Sequence, residues 1–217
     1  GSGMGAKRGI LIRKGEAIQT MKEIKTIVFD KTGTITKGIP EVSDIYSKDE
    51  RTLLSIAGSM EKLSEHPVAK AIVKKSNLKR FRDVKNFKIV RGMGVQGNIG
   101  NKKITIGNEA LMNANKISLK EFEKKIIKFE EKGQTTMIVA ENKKILGIIG
   151  VSDTVKDESV SAIRQLNEQG YRTIMITGDN ERGARAIAKQ VGINEVIARV
   201  LPEDKSKKIM ELQKSGM

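Results

Sequence analysis

The sequence predicts an α/β architecture in which a doubly wound parallel sheet, built from the two ends of the chain, is interrupted by an α+β unit with an antiparallel sheet. Three observations carry that prediction. Beyond Gly150, apolar runs of strand length alternate with amphipathic runs of helix length, the rhythm of parallel βα units. From about residue 40 to about 147 that rhythm gives way to short strands punctuated by glycine. Before the break, the apolar run Thr26-Ile27-Val28-Phe29 leads directly into Asp30, a carboxylate on a loop opened by a glycine. The expected segments are residues 6–38 and 149–217 for the parallel unit and 39–148 for the insertion, with paired crossings at Lys37-Gly38 and Ile149-Gly150 as the hinge.

In chain order, Gly1-Ser2-Gly3-Met4-Gly5 reads as a cloning scar and stays outside the fold argument. Gly9 to Gly15 reads as a short strand, and Glu16 to Lys22 as a helical stretch before the strand Thr26 to Phe29. Val42, Ile45 and Tyr46 mark a strand. Asp49 is placed to cap a helix carrying Leu53, Leu54 and Ile56, and Pro67 to open a second one, where its missing N–H costs little. Phe81 to Gly107 reads as an antiparallel meander. Ser118 and Glu121 form a capping box ahead of the stripe Leu119, Phe122, Ile126 and Phe129, with Gly133 as terminator. Thr136 to Ala140 and Lys144 to Ile149 make a hairpin. There follow a helix from about Asp157 to Gln169, a strand from Arg172 to Ile176, a helix from Glu181 to Val191, a strand from Val196 to Val200 and a last helix from Lys205.

Composition narrows the function classes. With 217 residues, 38% hydrophobic and 31% charged, the chain has the make-up of a soluble globular protein, and no segment approaches the roughly 18 apolar residues that span a bilayer. Zero Cys removes disulfides, thiolate metal sites and cysteine nucleophiles, and fits a reducing compartment. The formal charge of +15 suggests anionic partners such as nucleotides, an acidic membrane face or nucleic acid. Nucleic acid is the weakest of these, because 3% aromatics and no Trp leave few faces on which bases stack. The basic residues are also scattered, as on an ordinary solvated surface.

Five motifs hold chemistry, each beside a plainer reading. Gly92-Met93-Gly94-Val95-Gln96-Gly97 fits G-x-G-x-x-G, but a dinucleotide fingerprint opens a helix and Asn98 to Ile106 reads as strand. Neither does a kinase set of V-A-I-K, H-R-D and D-F-G follow it, so a nucleotide contact and a tight turn both stay open. His66, the only His, lies in Ser64-Glu65-His66-Pro67; it suits surface packing, or, with Glu61, contact with a purine ring and its exocyclic amine. Thr177-Gly178-Asp179 falls between strand and helix, an anion site of orphan N–H groups that is equally an Asp helix cap. Lys205, three residues after Pro202, can neutralise a transferring phosphoryl group or simply be solvated. The heptapeptide Asp30 to Thr36, DKTGTIT, answers no common structural need, and a carboxylate so placed can accept a phosphoryl group covalently.

In order along the chain, DKTGTIT, TGD and P-x-x-K (Pro202 to Lys205) resemble the catalytic cytoplasmic part of a P-type ATPase, and SEHP, Gly92/Gly94 and Gly107-Asn108 resemble the heavy-metal-transporting, CPx-type branch. The resemblance implies a phosphorylation domain of the haloacid-dehalogenase type interrupted by a nucleotide-binding domain. It implies that Glu61, His66, Gly92, Gly94, Gly107 and Asn108 hold the adenosine end of ATP and that Asp30 attacks the γ-phosphate in line. Lys205 and Mg²⁺ would offset charge, Mg²⁺ lying at Asp30 and Thr32, while Thr177 and Gly178 bind phosphoryl oxygens. Asp153 resembles a family position near the interdomain hinge. The implied partners are nucleotide and the membrane and actuator domains of a parent pump on whose cytoplasmic face this chain, a monomer by itself, would sit. Copper is the expected cargo, on family frequency, and no nucleic acid is expected.

Related phosphatases place an Asp two residues after the nucleophile. Here Thr32 stands there, and its hydroxyl does not titrate near neutrality, which predicts a longer-lived acyl phosphate. The family's G-D-G-x-N-D segment, source of a second Mg²⁺-binding Asp, does not follow Lys205 before Met217, so nucleotide binding with little turnover is the expectation for this chain by itself. A free-standing phosphatase of the same fold, and a non-catalytic basic module binding nucleic acid or membrane, are the competing readings.

Overall fold

The computed structural model describes residues 23–214; the expected scar, the strand Gly9 to Gly15 and the helix Glu16 to Lys22 lie outside them. Strand β1 (Thr26–Asp30) is apolar up to its last residue, and its chain neighbour β2 (Thr36–Ser47) belongs to a different sheet. Helices α1 (Glu50–Glu61) and α2 (Pro67–Ser76) follow, then the strands β3 (Val84–Val90), β4 (Gly94–Ile99) and β5 (Lys102–Gly107). Next come α3 (Glu109–Ala114), α4 (Glu123–Glu131), β6 (Thr135–Glu141) and β7 (Lys144–Val155). The C-terminal part runs α5 (Asp157–Glu168), β8 (Arg172–Ile176), α6 (Glu181–Val191), β9 (Glu195–Ile197) and α7 (Lys205–Lys214).

Two sheets result. The parallel sheet has order β1-β8-β9, with Asp30 paired to Ile176 and Ile176 to Ile197, so the C-terminal ends of its strands lie side by side. The antiparallel sheet has order β2-β7-β6-β5-β4-β3. Strands β2 and β7 both run through the positions expected as domain crossings, and their pairing extends from Thr36↔Val155 to Ser47↔Gly147 with register shifts between Thr36 and Pro40 and between Val42 and Asp44.

Period-2 alternation explains why the antiparallel sheet is covered on both faces. Val139, Ile149 and Val151 turn to a core shared with Leu53, Ile56 and Ile72 of α1 and α2. Ile138, Ala140 and Ile148 point the other way, against Met112 of α3 and Ile126 and Phe129 of α4. A third core, under the parallel sheet, joins Met175 to Ile163 of α5 and to Ala184, Ile187, Ala188 and Val191 of α6.

Local signals act as expected at several element ends. Asp49 Oδ1 accepts from the Thr52 N–H at 3.0 Å, Pro67 opens α2, and Gly133, Gly170 and Gly192 take positive φ after their helices. The hairpin between β6 and β7 turns on Asn142 and Lys143, both at positive φ, the backbone that a two-residue turn of matching twist requires.

Three expectations need correction, and one element is added. Helix α4 starts at Glu123 with no side-chain cap, because a turn closed by Phe122 N–H to Leu119 O occupies the predicted capping box at Ser118. The predicted stripe nevertheless packs as one cluster. Asn180, not Asp179, caps α6, accepting from the Gly183 N–H at 2.8 Å. Strand β9 ends at Ile197, since Arg199 then turns at φ +59°. Helix α3, capped by Asn108, is an additional element whose six residues are too few to display helical periodicity.

Candidate active site

The loop that follows Asp30 closes on itself. Thr36 donates its backbone N–H to Lys31 O, Thr32 is extended, and Gly33 sits at φ +77°, a left-handed backbone that favours glycine. Helix α5 clamps the loop from outside: Lys156 Nζ donates to Gly33 O at 2.9 Å, and the Lys156 N–H and Ser159 Oγ both donate to Ile35 O. Thr32, Gly33 and Thr34 are exposed at the tip of the loop, and the Asp30 carboxylate is open beside them.

Lys205 arrives from the far end of the chain, where the 3₁₀ turn Pro202–Asp204 leads into α7. Its Nζ lies 2.8 Å from both Asp30 oxygens, with the carboxylate still 42% exposed. The register Asp30↔Ile176 places Thr177 and Gly178 immediately past the strand partner of Asp30. Gly178 is exposed and makes no hydrogen bond among the described residues, whereas the Thr177 N–H is taken by Ile197 O and its hydroxyl donates to Asp179 Oδ2 at 2.7 Å. Gly178 is thus the available donor of the pair.

Sequence reasoning missed Lys31 and the role of Asp179. Lys31, next to Asp30 in the chain, is buried, and its Nζ lies 2.7 Å from Asp179 Oδ2. Burial pushes the Asp179 pKa up, but the Lys31 ammonium and the Thr177 and Thr135 hydroxyls outweigh it and hold it below the ordinary value. A signal was present: in a parallel sheet, a Lys just after one strand and an Asp just after its neighbour emerge on the same edge.

The insertion's residues divide by role. Glu61 ends α1 with a side chain almost fully buried; its Oε1 has no partner among the described residues, and burial raises its pKa to about 7. His66 Nδ1 accepts from the Val68 N–H at 3.2 Å and so caps α2, which leaves the proton on Nε2. Partial desolvation lowers its pKa more than the field of Asp179 raises it. Gly94 and Gly107 face each other across β4 and β5: a Cβ on Gly94 would stand 2.1 Å from Ile106 O, and one on Gly107 would stand 2.1 Å from Met93 O. Close approach of two strands therefore requires these glycines whether or not a ligand is bound. Asn108 caps α3 and also donates from Nδ2 to Gly92 O at 3.0 Å, steadying the turn before β4.

A family of haloacid dehalogenase-like hydrolases matches residues 24–216, almost the entire described chain. The chain belongs to this family. This hydrolase is 44% identical over 215 residues to a copper-exporting P-type ATPase of Staphylococcus saprophyticus and 46% identical over 219 residues to one of Staphylococcus aureus. The alignments cover 98% and 100% of the hydrolase but 27% of each relative, so the chain spans about a quarter of the length of the curated relatives it matches. Among solved structures it resembles the catalytic domain of the CPx-ATPase CopB-B, with a TM-score of 0.72 at 28% identity over 99% of this chain and 77% of that one. It also resembles a zinc-transporting PIB-type ATPase in its E2·Pi state, with a TM-score of 0.66 at 33% identity over 99% of this chain and 35% of that one. The sequence motifs' resemblance to P-type ATPases thus extends over the whole hydrolase, in both sequence and fold.

Proposed function

We propose that this hydrolase is the nucleotide-binding and phosphoryl-accepting part of a P-type ATPase that exports heavy-metal ions, copper foremost, and that Asp30 accepts the γ-phosphate of Mg-ATP. The observation that carries the proposal is an exposed strand-end carboxylate, held at 2.8 Å by Lys205 and flanked by the unpartnered N–H of Gly178. A carboxylate oxygen of Asp30 attacks the γ-phosphorus; the bond to the β–γ bridging oxygen breaks, and ADP departs with that electron pair. The Lys205 ammonium moves from neutralising the carboxylate to neutralising the equatorial oxygens.

The residues present fit Mg²⁺ in part. Asp30 and Thr32 would supply oxygen donors of the kind Mg²⁺ accepts beside nucleotide phosphates, although the described residues contain no cluster of three or more His, Cys, Asp or Glu able to hold a metal by themselves. When bound, the ion would screen phosphate charge at the attacking carboxylate.

At the other end of the nucleotide, the buried orphan oxygen of Glu61 is suited to accept from an exocyclic amine, and His66 Nε2 remains free to donate. Gly92, Gly94, Gly107 and Asn108 build the turn beside which the adenosine lies in this reading.

Incubation with γ-labelled ATP and Mg²⁺ tests the proposal: acid-stable, hydroxylamine-labile label is expected on the protein. Asp30→Asn should abolish the label while leaving nucleotide affinity intact, and label that persists in that variant refutes the assignment. Thr32→Asp in the complete pump should shorten the phosphoenzyme lifetime by supplying a general base; an unchanged decay rate counts against the role given to Thr32.

A further inference from the structure

We infer that Asp153 is a positioning residue that couples the hinge bulge of β2 to the nucleophile loop. The inference rests on the proposed phosphoryl transfer to Asp30 for its consequence, and on geometry alone for the coupling.

The β2–β7 ladder is interrupted where the two strands cross between the sheets. Thr36 pairs with Val155 and Pro40 with Asp153, so Lys37, Gly38 and Ile39 face only Thr154, and two surplus residues of β2 bulge from the sheet. A bulge leaves backbone donors without ladder partners. Asp153 supplies acceptors for them: its Oδ1 accepts from the Gly38 N–H at 3.0 Å and the Ile39 N–H at 3.2 Å, and its Oδ2 also lies 3.2 Å from the Gly38 N–H.

The same carboxylate reaches the nucleophile loop. Thr36 Oγ1 lies 2.5 Å from Asp153 Oδ2 and 3.1 Å from Lys31 O, and it accepts from the Gly33 N–H at 3.3 Å. One hydroxyl has one proton. It goes to the carboxylate, which is the nearer and charged acceptor, while Lys31 O already receives the Thr36 backbone N–H. The Gly33 N–H, Thr36 hydroxyl and Asp153 carboxylate therefore form one directed chain.

A second contact runs parallel to it. Gly38 has φ +73°, and a Cβ there would stand 3.1 Å from Gly33 Cα, so bulge and loop lie backbone against backbone. Movement of the bulge must shift Gly33, and Gly33 lies three residues after Asp30. No other acidic side chain touches these donors among the hydrogen bonds of the described residues. An apolar residue at 153 would leave the Gly38 and Ile39 N–H groups without a protein acceptor and turn the Thr36 hydroxyl back to Lys31 O.

The test compares wild type, Asp153→Asn, Thr36→Val, Thr36→Ser and the double variant Asp153→Asn/Thr36→Val. Three readouts are amide exchange at Gly33, Gly38 and Ile39, affinity for a non-hydrolysable ATP analogue, and the rate of label transfer from γ-labelled ATP. Coupling predicts that Asp153→Asn accelerates exchange at Gly33 as well as at Gly38 by tenfold or more. Label transfer should slow at least tenfold with analogue affinity within twofold, Thr36→Ser should behave as wild type, and the double variant should be no worse than Thr36→Val alone. Faster exchange at Gly38 and Ile39 with Gly33 unmoved would reduce Asp153 to a local brace and overturn the inference, as would additive losses in the double variant. If the wild type takes no label while Gly33 exchange still responds to Asp153→Asn, the coupling stands and the proposed acceptor role of Asp30 fails instead.

Discussion

Two buried charges, Glu61 and Lys31, have opposite consequences for stability. Glu61 has a carboxyl pKa raised by burial from 4.5 to about 7. Between those values the folded state binds more protons than the unfolded state, so its contribution is fully present below the unfolded value and is lost as pH rises through about 7. The shift corresponds to about 3 kcal/mol by linkage. Urea unfolding of the nucleotide-free protein should therefore show stability falling from pH 4.5 to about 7 by an amount of that order, and Glu61→Gln should flatten the dependence. Lys31 is needed because Asp179 is largely buried and ionised. Its depressed pKa contributes stability above the ordinary value of 3.8 that disappears as pH falls through the folded value. Lys31→Met strands that carboxylate, and a loss of about 3 kcal/mol at pH 7, shrinking toward pH 3, is the expected result of the same titration.

At the scale of elements, the glycine cluster acts first as architecture. Gly94 and Gly107 allow β4 and β5 to approach backbone to backbone, and the nearest atoms to an added Cβ are carbonyl oxygens that cannot swing aside. Gly94→Ala and Gly107→Ala should each cost about 2 kcal/mol or more by overpacking. Asn108→Ala, which removes a helix cap and the tether to Gly92, should cost about 1 kcal/mol. If nucleotide affinity falls in Asn108→Ala while Gly92 amide exchange stays unchanged, Asn108 contacts the ligand itself instead of acting through the turn. A motif that fits a phosphate loop in sequence thus had a plainer cause, which the pattern alone leaves open because glycine answers both demands.

Over the whole molecule, the two sheets are joined by more than β2 and β7. The end of α4 lies on α6: Glu130, with a side chain only 4% exposed, accepts from Arg182 at 2.9 Å, and a Cβ on Gly133 would meet Ile187 at 2.7 Å. Thr135, opening β6, donates to Asp179 at 3.1 Å. Burial raises the Glu130 pKa against the pull of Arg182, so the pair has little margin. Calorimetry should record one unfolding transition for the intact chain, and Arg182→Glu, which faces a buried carboxylate with another, should separate it into two or lower it by several degrees. A variant that melts as wild type would mean that the interface contributes no coupling.

The sequence alone determined the order and kind of nearly every element, because periodicity, caps and terminating glycines act within a few residues. The order of DKTGTIT, TGD and P-x-x-K along the chain also singled out Asp30, Thr177-Gly178 and Lys205 by resemblance, and the parallel sheet delivers the first two to one edge. Tertiary structure decided the rest: Lys31 against Asp179, Gly94 against the β5 backbone, and Asp153 against Gly38 and Thr36, 115 and 117 residues away. The first of these follows from two parallel strands sharing an edge; the other two have no local signature. An Asp on an edge of a strand reads as solvated until the bulge that consumes its lone pairs is in place, and that bulge exists only because two chain segments cross between sheets at the same point.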